Sequence, residues 1–272
     1  MTPSQLPPSP KREDDDSLLL EGAFLVERAL RAGLELSEIF CVPARSEWAH
    51  ALRDTSAVGA EPPAIRVLPE EELAAVAGYP FHRGVLALGR RPRERRLSEL
   101  AGGLGRGAGS VEGASRSEAS TLVALPETRD PENIGSIFRS AAALGCDGLL
   151  LGPTCPDPLS RRALRVGMGA PLSLPWARLR DPGELGSLAS FGFRLSACVL
   201  DPGALDLRAY DRPPRLVLVF GNEAYGLSPA WRELCDDELT LPMRGGADSL
   251  NVGVAAALFL YTLTSIHSQN SP

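Results

Sequence analysis

Residues 216–227 read Leu216-Val217-Leu218-Val219-Phe220-Gly221-Asn222-Glu223-Ala224-Tyr225-Gly226-Leu227. Five consecutive apolar residues with no polar alternation suit a strand buried on both faces, and such strands belong to parallel sheets covered by helices. Two glycines then bracket Asn222 and Glu223 where the strand ends, a pattern in which backbone approaches a ligand closely. A plain tight turn has little use for a carboxylate between its glycines, so this loop points to function.

The same pattern extends in both directions. Apolar runs at 122–125, 148–151, 193–200 and 238–241 read as strands, and 131–144 and 250–267 read as helices. This alternation predicts an α/β fold with a mostly parallel sheet and helices on both faces. Ligands in such sheets bind beyond the carboxyl ends of the strands. Upstream, helical stripes at 20–33, 46–53 and 69–78 interleave with strands at 38–42, 64–68 and 84–88, which predicts a small separate α/β unit. Between the two, 14 of the 20 residues at 101–120 are Gly, Ser or Ala, a linker composition. The run Gly103-Leu104-Gly105-Arg106-Gly107 within it follows no strand and lacks the dinucleotide-loop spacing. The expected organisation is a tail at 1–17, a front domain at 18–97, a flexible linker at 98–120 and a main domain at 121–272.

Of 272 residues, 44% are hydrophobic and 23% charged, a balance that excludes a disordered or fibrous chain. No apolar run reaches the roughly 18 residues of a membrane-spanning helix. The first sixteen residues are Pro-rich and then acidic, unlike a secretory or mitochondrial leader, so a cytoplasmic protein is expected. Cys41, Cys146, Cys155, Cys198 and Cys235 are odd in number and scattered, and His50, His82 and His267 neighbour none of them at ligand spacing. Neither a disulfide framework nor a metal site is expected.

The net charge of −6 argues against a nucleic-acid partner, but its distribution does not. Lys11 is the only lysine among 28 basic residues. Arg83, Arg90, Arg91, Arg93, Arg95 and Arg96 face a single acid, Glu94, and Arg161, Arg162, Arg165, Arg178 and Arg180 face none between 158 and 180. Guanidinium suits bidentate phosphate contacts. Coding bias toward arginine on solvated faces reads the same way.

Two further loops carry polar groups that a fold alone does not require. Asp130-Pro131-Glu132-Asn133-Ile134-Gly135-Ser136-Ile137-Phe138-Arg139 opens a helix, with Asp130 as N-cap and Pro131 at the first helical position. Gly135 leaves room there for a backbone or ribose, and Arg139 shares its face. A helix start with one ion-paired arginine is the plainer reading. In Leu241-Pro242-Met243-Arg244-Gly245-Gly246-Ala247-Asp248-Ser249-Leu250-Asn251-Val252, Asp248 or Ser249 can cap the terminal helix. Asn251, inside an otherwise apolar helix start, is costly unless it has a partner.

Taken together and in this order, "NIGSIFR", "GNEAYGL" and "LPMRGGADSLNV" resemble the three signatures of the SpoU/TrmH branch of the SPOUT RNA methyltransferases. The similarity spans about residues 121–266. "LEGAFLVERAL" and "HRGVLAL" resemble, more weakly, that family's amino-terminal substrate-binding domain. Two positions depart from the pattern: Gly253 stands where the family usually has serine, and Arg165–Ala170 reads "RVGMGA" where R-A-S-x-G is common.

The resemblance implies methyl transfer from S-adenosylmethionine to a ribose 2′-hydroxyl of ribosomal or transfer RNA, in a domain with a deep trefoil knot. It implies cofactor contacts at Gly221, Leu241, Met243 and Leu250, largely through backbone, and a catalytic Arg139 accompanied by Asn133, Glu223, Ser249 and Asn251. Under it Arg83, Arg90, Arg91, Arg161, Arg162 and Arg165 become expected RNA contacts, and a homodimer without metal is expected. The alternative is an RNA-binding relative without catalysis. At Gly253, a serine should then be tolerated and slightly stabilising, since glycine loosens a helix by about 0.5–1 kcal/mol relative to alanine.

Overall fold

The computed structural model describes residues 16–54, 61–104, 119–243 and 249–269, with side chains up to residue 264. The chain divides into two compact units, Met1–Arg93 and Glu94–Pro272. In the first, β1 (Ser17–Glu21), α1 (Ala23–Arg31), β2 (Leu36–Cys41), α2 (Ser46–Asp54), β3 (Ala64–Val67), α3 (Glu70–Ala77) and β4 (Val85–Arg90) follow one another. Its sheet runs β1-β4-β2-β3, with β4 antiparallel to both neighbours and β3 parallel to β2.

The helix expected across 20–33 is thus a strand followed by a helix. Leu18 and Leu20 alternate inward with period two, and Gly22, at φ 90°, turns the chain into α1. An apolar stripe that continued through the turn concealed the change of period. Ser17 belongs to β1, so the tail expected through 17 overlaps the first strand, and residues 1–15 lie outside the described residues.

The second unit contains α4 (Leu97–Gly103), β5 (Ser120–Leu125), α5 (Pro131–Ala143), β6 (Gly148–Leu151), α6 (Arg161–Val166), β7 (Trp176–Arg178), α7 (Pro182–Gly186), β8 (Arg194–Cys198), β9 (Leu205–Asp206), β10 (Arg215–Phe220), α8 (Pro229–Arg232), β11 (Asp237–Thr240) and α9 (Val252–Gln269). Its seven strands are ordered β7-β6-β5-β10-β8-β11-β9, and every pairing is parallel. The decisive strand lies at the centre, with Leu218 opposite Val123 of β5 on one side and Ser196 of β8 on the other. From β5 the chain winds outward through β6 and β7, then crosses to β8, and β10 closes the gap. That reversal is where ligands bind in doubly wound sheets. Among the described residues no helix is long and apolar enough to cross a membrane.

The linker expected at 98–120 starts later than its composition implied. Leu100 and Ala101 of α4 are buried against Leu122, Leu150 and Val217. Arg215 fastens the helix by donating from Nη2 to the Ala101 carbonyl at 2.9 Å, its guanidinium resting 4.4 Å from the Phe193 ring centre. Residues 105–118 of the expected linker lie outside the described residues.

A fragment that begins at Glu94 should therefore melt as one cooperative unit, whereas one that begins at Ser120 leaves the Leu100 site empty. A vacated leucine costs about 2–5 kcal/mol, which lowers the midpoint by roughly 4–20 °C in calorimetry. Equal midpoints would show that α4 adds nothing.

Candidate functional site

The start of α5 forms as its sequence requires: Asp130 Oδ1 accepts from the Glu132 N–H at 2.9 Å and Pro131 occupies the first position. Ile134, Ile137, Phe138 and Ala141 are fully buried. Gly135 does not open space for a ribose. A Cβ there would lie 2.5 Å from the Ala163 carbonyl oxygen and 3.0 Å from the Gly167 nitrogen, so its missing side chain lets α5 cross α6 at backbone contact. Gly167, one of the departures in "RVGMGA", is the other half of that crossing, 3.0 Å from the Gly135 oxygen by the same measure.

The loop after β10 is a closed hairpin. Asn222 and Gly226 exchange backbone hydrogen bonds of 2.8 and 2.9 Å. A Cβ at Gly221 would fall 2.2 Å from Gly226 C, so the loop's own return demands this glycine before any ligand does. Glu127, which the sequence did not single out, holds both ends: its carbonyl accepts from Asn222 Nδ2 at 3.1 Å and its Oε2 accepts from the Ser228 N–H at 3.0 Å. A half-buried glutamate before the first motif carries no spacing signal that could have revealed it.

Asn251 is the N-cap of α9 rather than a residue inside it. Its Oδ1 accepts from the N–H of Gly253 at 2.9 Å and of Val254 at 3.4 Å, and α9 begins at Val252. Its Nδ2 donates to Asn133 Oδ1 at 2.9 Å, and Asn133 Nδ2 donates to Glu223 Oε1 at 2.6 Å. One hydrogen-bonded line thus joins the three loops, across sequence separations of 118 and 90 residues. Of the two caps expected, Ser249 lies two residues upstream of the one that acts, and Asp248 lies with 244–247 outside the described residues.

Beside this line opens a cavity of about 310 Å³ at the carboxyl ends of β8, β10 and β11. Gly221, Leu241, Met243 and Leu250, the four residues expected to hold a cofactor, all line it, as do Glu223 and Ser249. Sequence reading missed the remaining wall: Asp201, Arg232, Tyr225 and Cys198. Arg232 donates from Nη2 to Asp201 at 3.1 Å and ion-pairs with Glu238, and the Gly203 N–H and this arginine hold the Asp201 carboxyl below its ordinary range. Burial pushes the Cys198 thiol up, so it remains protonated at neutral pH.

Arg139 lies further along α5, exposed, and no hydrogen bond or ion pair holds it among the described residues. The expected RNA-contacting arginines fall in both units. Arg83, Arg90, Arg161 and Arg165 are exposed and Arg91 is half-buried. Arg162 is exposed but engaged, its Nε 2.8 Å from Glu132 Oε1 in the first turn of α5.

At Gly253, where a serine is expected to be tolerated, a side chain would meet Ser136 closely. A Cβ there would lie 2.8 Å from Ser136 Oγ and 3.3 Å from Ser136 Cβ, because α5 and α9 touch at this point.

Comparison with known proteins agrees with this geometry. The family model described as SpoU rRNA Methylase matches residues 120–261. An uncharacterised tRNA/rRNA methyltransferase of Mycobacterium bovis is 36% identical over 255 residues, covering 91% of this chain and 80% of that protein. The chain belongs to the SpoU methylase family. A 23S rRNA (guanosine-2′-O-)-methyltransferase of Acinetobacter baylyi shares 31% identity over 70% of this chain and 74% of its own. The crystal structure of the SpoU methyltransferase AviRb from Streptomyces viridochromogenes in complex with AdoMet superposes with a TM-score of 0.77 at 26% identity, covering 97% of this chain and 96% of that one. The second unit is therefore a SpoU domain, and the small α/β unit precedes it as expected.

Within the SpoU domain, Asn251→Ala should destabilise more than Asn133→Ala in urea unfolding. Asn251→Ala strands the buried Asn133 oxygen, at about 1–3 kcal/mol, whereas Asn133→Ala releases only the exposed Asn251 and Glu223 side chains, which water can reach. Only Asn251→Ala also loses a helix cap, a further ~0.5–2 kcal/mol. Equal losses would mean that the amide line, not the cap, accounts for both.

Proposed function

We propose that this chain is an RNA ribose-2′-O-methyltransferase that uses S-adenosylmethionine and acts on ribosomal or transfer RNA in the cytoplasm. The observation that carries the reading is the Asn251–Asn133–Glu223 line beside the cavity, with the unpaired Arg139 on the same helix as Asn133.

The residues present fit the methyl donor. The cavity is at the lower end of ligand-pocket volumes, about 300–1,000 Å³. Phe220, Leu227, Leu241, Leu250 and Phe259 offer it apolar walls, and the Glu223 carboxylate gives one edge a negative charge suited to a cation, Asp201 being paired with Arg232. Gly221, Leu241, Met243 and Leu250 would hold it. When bound, it supplies a methyl group on a positively charged sulfur.

The chain's task is alignment, which alone can account for much of the rate. Asn133 fixes Glu223 Oε1, and Oε2, which makes no hydrogen bond among the described residues, is left to accept from the ribose hydroxyl. Arg139 stabilises the developing alkoxide and the adjacent phosphate. Guanidinium holds its proton too firmly to give it up, so this electrostatic role suits it better than that of a base. Ser249 and Asn251 border the same space.

RNA contacts would come from Arg83, Arg90 and Arg91 of the front unit and from Arg161, Arg162 and Arg165 of α6. Affinity should then fall steeply with salt as counterions are released. A homodimer is supported by α9, whose Val254, Leu258 and Tyr261 are exposed at helical spacing while the opposite face is buried. We also read the SpoU domain as carrying a deep trefoil knot.

Arg139→Ala should lower methyl transfer by about 10²–10³-fold while calorimetry finds S-adenosylmethionine affinity within a few fold. Complete loss of cofactor binding in a folded variant would move Arg139 into the cofactor site. Mapping ribose methylation in RNA from cells with and without the gene identifies the target. An unchanged map, with no turnover on unmodified RNA, would favour an RNA-binding protein without catalysis.

A further inference from the structure

Ser136 lies one helical turn beyond Asn133 and three residues before Arg139, between the buried Asn133 amide and the exposed guanidinium. It is half-buried, and its hydroxyl makes no hydrogen bond among the described residues. It sits at the point where α5 meets the first turn of α9. The space that a side chain at Gly253 would take is bounded by Ser136 Oγ at 2.8 Å and by the cap oxygen Asn251 Oδ1 at 3.1 Å. A side chain at Gly253 and the Ser136 hydroxyl would therefore compete for the same space.

We propose that Ser136 is a further substrate-contacting residue of this site. Its hydroxyl donates to an oxygen of the target nucleotide's sugar–phosphate backbone, beside Arg139. A hydroxyl is a rotatable donor that keeps an acceptor lone pair, which suits an anionic or ether oxygen at the rim of a protein cleft. The packing contributes direction: with Gly253 Cβ-less on one side and the Asn251 amide on another, the serine is confined between α5 and α9 instead of sampling open solvent. The contact rests on the ribose-methyltransferase reading, and wild-type turnover on unmodified RNA tests that reading separately.

The experiment exchanges the two positions. Gly253→Ser places two side chains in one hole, so its melting temperature and its kcat should both fall, kcat by about tenfold. Ser136→Gly removes the hydroxyl and should lower kcat and raise KM for RNA, together about tenfold in kcat/KM, the loss of one neutral hydrogen bond in the transition state. The double variant Ser136→Gly/Gly253→Ser returns one hydroxyl to the same hole from the opposite helix, and Ser136→Gly/Gly253→Ala returns only the volume. The serine double should melt above the sum of its single effects. Only the serine-bearing one should recover kcat/KM, to within about threefold of wild type. S-adenosylmethionine affinity, read by calorimetry, should stay within about twofold throughout.

Equal recovery by the alanine and serine doubles would overturn the proposal, since the hole would then need only filling. So would a Gly253→Ser protein that melts and turns over like wild type, because the two positions would not share space. Melting of the four variants decides the shared hole even where a single variant is too unstable to assay. A wild type without turnover would fail the methyltransferase reading itself and, with it, the substrate contact.

Discussion

A primary amide has two ends to satisfy, and Asn251, at the terminus of a helix, does so with two different parts of the fold. Its oxygen caps the first turn of α9, and its nitrogen reaches Asn133, which in turn holds Glu223. Stability and site geometry therefore depend on the same few atoms. Asn133 is the buried member, held between the exposed Asn251 and Glu223, and left unpaired it would cost its desolvation penalty, so it ties the three loops together. The cavity at the carboxyl ends of β8, β10 and β11 inherits its shape from that arrangement.

Close backbone approach is the second device. Gly135 and Gly167 let α5 and α6 touch, Gly221 lets the loop after β10 fold back on itself, and Gly253 lets α5 meet α9. In none of these does the glycine face an open space awaiting ligand. Each removes a side chain so that neighbouring elements bring polar groups to the cavity's edge. Glu127 completes the loop's anchorage by holding both of its ends.

Much of the SpoU domain was legible because its strands are buried on both faces and its loops carry motifs in a fixed order. The run at 216–220 named the central strand, and Asp130-Pro131 named the start of α5, through chemistry that is local to the chain. What stayed hidden depended on contacts distant in sequence. The use of Gly135 needs the position of α6, and the roles of Glu127 and Arg232 need loops that meet only in the folded protein. Asn251 was seen as polar and in need of a partner, but a cap and a mid-helix amide differ by one residue of register. Leu100 was masked by the small residues after it, and β1 by a stripe that passed smoothly from period two to period 3.6. The room for a side chain at 253 turns on how closely α5 and α9 approach, a quantity no spacing encodes.

The all-parallel ladder also sets the order in which the chain can fold. β6 follows β5 closely and can cover one of its edges early, but the other edge waits for β10, roughly ninety residues later in synthesis. Until then an apolar strand has an unpaired rim, and β8, made before β10, has no neighbour on either side. Such an interval favours slow, high-contact-order folding and exposure to aggregation. Once β10 inserts, it closes both ladders in one step, so the strand that carries the Gly221 loop is also the one whose arrival commits the domain to its native state.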